Sequence, residues 1–226
     1  MVNRNIVAIG GGGFGRSIGK FIIGKYIISL IRGDRPKVCF IPTASGDNTS
    51  YKLNFYRAFS SLNCIPSHVD FFSRTDELED KILSQDIVYV GGGNTKSMLA
   101  VWREWELDKI LKRAYEKGIV MSGVSAGAIC WFEKGITDSY SKALQIIDCL
   151  GLINGIACPH FDEEKEREPY VNQLIMSEII NSCICIEGNS ALHICNENII
   201  KTINFGSNKK CFELYKNSNN LLKKNF

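Results

Sequence analysis

Gly123-Val124-Ser125-Ala126-Gly127 follows the β-branched run at 119–122 and precedes a helix-compatible stretch at 128–131. A serine on a sharp strand-to-helix turn between small residues is the arrangement of a nucleophile elbow. The helix start behind Ser125 directs main-chain N–H groups at developing negative charge, and the Ala126 N–H is the natural oxyanion donor. Small residues of this kind also occur where a strand merely turns into a helix close to a sheet, so the motif needs a partner. A serine hydroxyl requires a base. Three histidines are available. His68 and His193 lie in strand-like runs and read as structural. His160 follows Cys158-Pro159, where a rigid turn can present its ring into a cleft, and it is the candidate base.

Two carboxylates compete to orient that base. Glu187 ends the buried-looking run 184–187, where a lone carboxylate is costly unless it is paired. Asp162 is close to His160 in sequence, but neighbours two apart seldom face each other well. Glu187 is favoured. Gly91-Gly92-Gly93-Asn94-Thr95 follows a strand-like run and opens a helix, so one of its N–H groups can complete an oxyanion hole and Asn94 is a candidate substrate contact. Gly10 to Gly15 satisfies the dinucleotide fingerprint formally. The second strand ends Ile41-Pro42-Thr43 without the acidic residue a ribose requires, so nucleotide binding is the lesser reading.

These residues have to be held by a sheet edge. β-branched runs recur at 6–9, 38–41, 68–72, 87–90 and 119–122. Helical spacing separates them, at Ile18, Phe21, Ile22, Tyr26 and Leu30, at Tyr51, Phe55, Phe59 and Leu62, and at Met98, Val101, Trp105, Ile110 and Tyr115. Alternating strand and helix predict an α/β fold with a mostly parallel sheet and ligands at the strands' carboxyl ends. After about residue 140 the rhythm changes to one charged helix near 163–180 and close strands near 183–187, 190–195 and 198–204. That pattern predicts an antiparallel or mixed edge on the same sheet. Residues 1–215 read as one α/β domain, and the Asn/Lys-rich stretch 216–226 as a polar C-terminal tail.

Composition narrows the function. The chain has 226 residues, 45% of them apolar, enough for a real core. A net charge of +3 is too weak a field to argue for nucleic acid or an anionic membrane as partner. Nine cysteines, an odd number set mostly in apolar runs, read as reduced core residues of a cytoplasmic protein. No Cys-x-x-Cys occurs and no metal or other cofactor is expected. The start of the chain shows no signal-peptide pattern, and Lys25 interrupts the longest apolar segment. The expected partner is a small peptide substrate, with a homodimer left open.

Gly-Gly-Gly-Asn-Thr at 91–95, Gly-Val-Ser-Ala-Gly-Ala at 123–128, Pro-His-Phe at 159–161 and Glu-Gly-Asn at 187–189 together resemble the peptidase S51 family, which includes peptidase E and is related to cyanophycinase. The resemblance runs from about residue 5 to about residue 205. It implies a flavodoxin-like fold related to class I glutamine amidotransferases, and a serine-type dipeptidase or exopeptidase with a Ser-His-Glu triad. On that resemblance Ser125 is the nucleophile, His160 the acid/base and Glu187 its orienter, with Gly93 and Ala126 supplying the oxyanion hole. Arg167 resembles one arginine that holds the substrate's aspartate in peptidase E, and Tyr170 stands where a second basic residue is expected. The stretch from Ala128 through Thr137-Asp138-Ser139 resembles a less characterised bacterial branch. A related amide or ester hydrolase, and a non-catalytic metabolite or nucleotide-binding module, are the alternatives.

Overall fold

The computed structural model describes residues 2–15, 21–140, 143–206 and 208–226. Its elements are β1 (Asn5–Ile9), α1 (Ile22–Ser29), β2 (Lys37–Ile41), α2 (Thr49–Phe59), β3 (Ile65–His68), α3 (Leu78–Leu83), β4 (Ile87–Val90), α4 (Thr95–Glu104), α5 (Leu107–Glu116), β5 (Val120–Val124), α6 (Ala126–Ile129), β6 (Phe132–Thr137) and β7 (Gln145–Asp148). They continue as β8 (Ile153–Cys158), α7 (Arg167–Met176), β9 (Ser182–Ile186), β10 (Ser190–Cys195), β11 (Asn198–Asn204), β12 (Cys211–Asn217) and β13 (Asn220–Asn225).

The first half is laid out as its alternation demands. β1, β5, β4, β2 and β3 lie side by side in parallel, in that order. Successive residues of a strand point to opposite faces. Ile6, Ala8, Cys39, Ile41, Val88 and Val90 therefore pack with Met98, Leu99 and Trp102 of α4 on one side. Val7, Ile9, Val38, Phe40, Ile87 and Tyr89 pack with α1 and α2 on the other. Covering both faces is why these strands are continuous apolar runs rather than alternating ones. Ile18, which the spacing puts in the first helix, lies outside the described residues. The strand expected at 68–72 runs instead from Ile65 to His68, an edge position where Pro66 is tolerated. The long helix expected from Met98 to Tyr115 breaks into α4 and α5 at Glu106, whose φ is +54°.

The second half corrects the expectation of a single sheet. Only β10 and β11 form an antiparallel edge on the first sheet, through β1. β9 leaves it and pairs in parallel with β8, within a second sheet of order β13-β12-β9-β8-β6-β7. Close spacing suggested that β9 and β10 were neighbours in one sheet, but the turn at 187–189 carries the chain from one sheet to the other. The expected polar tail at 216–226 is corrected as well. Asn220–Asn225 forms a hairpin with Cys211–Asn217, with Leu221 packed at the core under α7 and the Lys223 ammonium 4.8 Å from the centre of the Phe212 ring. All nine cysteines are free, and all but Cys149 and Cys195 are buried. Among the described residues no helix is long and apolar enough to cross a membrane.

Candidate active site

Ser125 sits between β5 and α6 with φ +57° and ψ −110°, a conformation costly for any residue with a Cβ. Its surroundings enforce it. Its own N–H donates to Ile9 O at 2.9 Å, and the flanking glycines leave no alternative path. A Cβ at Gly123 would lie 2.4 Å from Gly127 O, and one at Gly127 would lie 2.3 Å from Val90 O. The elbow is thereby pressed against β4, with the half-buried serine at the carboxyl end of the sheet.

His160 follows β8 and is also in the left-handed region, at φ +51°. Its Nε2 lies 2.8 Å from Ser125 Oγ, within reach for proton transfer. On the other side of the ring, Nδ1 is 2.9 Å from Glu164 Oε1, a contact that becomes an ion pair when the imidazole is protonated. Glu164 Oε2 accepts from Arg167 Nε at 2.7 Å, and Arg167 Nη1 donates to Ile136 O at 3.1 Å. The turns at 160–166 that lead into α7 thus bring Glu164 between His160 and Arg167.

This geometry departs from two of the sequence assignments. Glu187, assigned to orient the base, accepts from Lys210 N at 2.9 Å, and its own N–H donates to Lys210 O. That carboxylate is occupied where the chain passes between the sheets. Its rival Asp162 accepts from Gly188 N at 2.8 Å and pairs with Lys209. Burial raises the Asp162 pKa, but those two hydrogen bonds outweigh it and hold the carboxyl below its usual value. Arg167, assigned to the substrate, is only 1% exposed. Its guanidinium is turned inward onto Glu164 and Ile136, because a buried cation is tolerable only when paired.

At the two expected oxyanion positions the main chain is open. Among the described residues, neither the Gly93 nor the Ala126 N–H has a hydrogen-bond acceptor. Gly93 has φ +142°, and a Cβ there would lie 2.2 Å from Ala44 O, so only glycine fits. Asn94 caps α4 by accepting from Ser97 N at 2.8 Å, and its Nδ2 reaches Ser139 O at 3.5 Å. Ser139 Oγ accepts from Thr95 N at 2.8 Å and bonds Thr137, which fixes the 137–139 segment over the start of α4.

Two clefts meet at Ser125 and His160. One, about 320 Å³, is lined by Gly93, Asn94, Asp138, Ser139 and Glu164. The other, about 280 Å³, is lined by Gly11, Gly12, Tyr51, Gly92 and Val124, which puts the first glycine loop in the wall of the site. No buried thiol competes as nucleophile: burial pushes Cys39 up to about 12 and Cys211 up to about 11. Glu164 was missed in the sequence because it is one of several carboxylates between 162 and 168, and only its i, i+4 spacing from His160 singled it out.

Comparison with known proteins identifies the family and the fold. The model of peptidase family S51 matches residues 6–202. The uncharacterized peptidase YgaJ of Bacillus subtilis strain 168 is 41% identical over 212 residues, spanning 93% of this chain and 92% of the relative. The fold is similar to that of a candidate peptidase E from Listeria monocytogenes EGD-e, with TM-score 0.68 and 22% identity over 91% of this chain and 100% of the other. It is also similar to that of a peptidase from an acI-B1 actinobacterium, with TM-score 0.73 and 16% identity over 98% and 96%.

Proposed function

This chain belongs to peptidase family S51 and is a serine-type peptidase, and on that premise we propose that it cleaves small peptides through an acyl-enzyme on Ser125. Ser125 Oγ attacks the scissile carbonyl carbon while its proton passes to His160 Nε2. The carbonyl oxygen, now an oxyanion, takes the N–H groups of Gly93 and Ala126. His160 returns the proton to the leaving amine as the C–N bond breaks. Water then attacks the ester, giving its proton to His160, which passes it to Ser125 Oγ as the ester C–O bond breaks and the acid product leaves. Glu164 faces the imidazolium formed in both halves of the cycle, and Arg167 holds Glu164 in place. The two small clefts suit a dipeptide or a similarly short substrate, on a flavodoxin-like parallel core. Nine free thiols suit a reducing compartment, the cytoplasm.

The observation that carries this reading is the 2.8 Å contact of Ser125 Oγ with His160 Nε2, made by a serine held at φ +57°. Intact-mass labelling with a fluorophosphonate tests it without a known substrate. One adduct is expected on the wild type and none on Ser125→Ala. A folded wild type that takes no adduct would overturn the reading.

A further inference from the structure

The cleft between Asn94 and Glu164 does not end at the catalytic pair. It opens past Asp138 and Glu164 into a larger cavity of about 520 Å³, whose walls also include Glu166, Tyr140, Leu144 and Tyr170. We propose that this cavity is the specificity pocket of the peptidase and takes a basic side chain, lysine or arginine, of the residue next to the scissile bond. The proposal rests on the hydrolytic reading of Ser125 given above.

Three features point the same way. First, the pocket is reached from the nucleophile, since Asp138 and Glu164 line both volumes, so a substrate held at Ser125 projects a side chain into it. Second, the charged groups among the described residues that line it are all carboxylates. Glu164 is paired with Arg167 and faces His160, but Asp138 and Glu166 have no ion-pair partner among the described residues. Arg167 is buried beneath Glu164, and Lys96 lies 4.6 Å from the centre of the Tyr140 ring. Third, Tyr140, Leu144 and Tyr170 provide apolar walls, the surroundings that the methylene stem of lysine or arginine prefers while its head stays with carboxylates. An acidic side chain in the same place would face three carboxylates, with no lysine or arginine among the described residues that line the cavity.

The cation could be supplied by a side chain or by the α-ammonium of the substrate's first residue, and the probes separate the two. Peptides of matched length carrying lysine, norleucine or aspartate on either side of one scissile bond are compared for kcat/KM, each with a free and an acetylated N-terminus. The expected result is a lysine-to-norleucine ratio of about tenfold or more that survives acetylation and falls with added salt. In the double variant Asp138→Asn, Glu166→Gln that ratio drops to about one. Fluorophosphonate labelling of the wild type runs alongside. Labelling at Ser125 with a preference for norleucine or aspartate, or a preference that vanishes on acetylation, overturns this proposal and leaves the peptidase reading standing. Absence of labelling overturns both.

Discussion

The two ends of the parallel sheet treat polar groups differently. At the amino end, around Asn5, the groups satisfy one another. His193 Nδ1 is 2.7 Å from Tyr26 OH and its Nε2 is 3.0 Å from Asn5 Oδ1. Glu197 accepts from Arg4 at 2.8 Å and from Tyr115 OH at 2.9 Å. At the carboxyl end, Ser125 and His160 are held at positive φ and the N–H groups of Gly93 and Ala126 have no acceptor among the described residues. Positive φ alone does not mark the working end, since Asn196 and Glu197 also have it, as the two central residues of a tight hairpin. What distinguishes the carboxyl end is hydrogen-bonding capacity left open around a strained serine. Substitutions there should change turnover, and substitutions at the amino end should change only stability.

The sharpest test of that division compares two glutamates at the working end. Glu164→Gln should lower kcat by about 10²-fold with KM little changed, because the imidazolium loses the carboxylate that faces it. Glu187→Gln should stay within about threefold in kcat, its cost appearing in the urea midpoint, since its carboxylate serves the Lys210 N–H. Equal losses of kcat in the two variants would return Glu187 to the role that family resemblance implies.

The same pair shows what the sequence could and could not reveal. The elbow was legible because everything that shapes it is local: a strand, two glycines and a helix start lie within ten residues of Ser125. His160 was legible by elimination, since the other two histidines fell within strand-like runs. The five parallel strands were legible from unbroken apolar runs. The partner of His160 was not, because choosing among Asp162, Glu163, Glu164, Glu166 and Glu187 requires side-chain directions that depend on where the turn into α7 starts. The second sheet was hidden for a related reason. β9 and β10 are both good strands, and no residue in either says that its neighbour will be β8 in one case and β1 in the other. The tail was misread because Asn and Lys dominate a hairpin whose pairing depends on β12 being already in place.

Glu197→Gln probes the amino end. The variant keeps the shape but loses the charge that draws in Arg4 and Tyr115. Arg4 and Glu197 are well exposed, so solvent screens the ion pair, and the expected loss is under about 1 kcal/mol in urea unfolding. The rate of fluorophosphonate labelling at Ser125 should not move. A labelling rate that fell with this substitution would break the division between the two ends.

The smallest effect should come from His193, and its sign follows from its partners. In the neutral ring, Nδ1 accepts from Tyr26 OH while Nε2–H donates to Asn5 Oδ1. Protonation destroys the acceptor. Burial, with Lys201 nearby, accordingly holds the folded-state pKa below the ordinary value of 6.5. The unfolded chain then binds the proton more readily than the folded one. The stability this site contributes is complete above about pH 6.5 and is lost as pH falls through the lower folded-state value. His193→Gln carries no titrating ring, so a plot of Tm against pH should be flatter for the variant than for the wild type on the acid side of neutrality. A slope unchanged by the substitution would mean that the acid sensitivity of the fold lies elsewhere, with the Asp162 carboxylate between the Gly188 N–H and Lys209 as the next site to test.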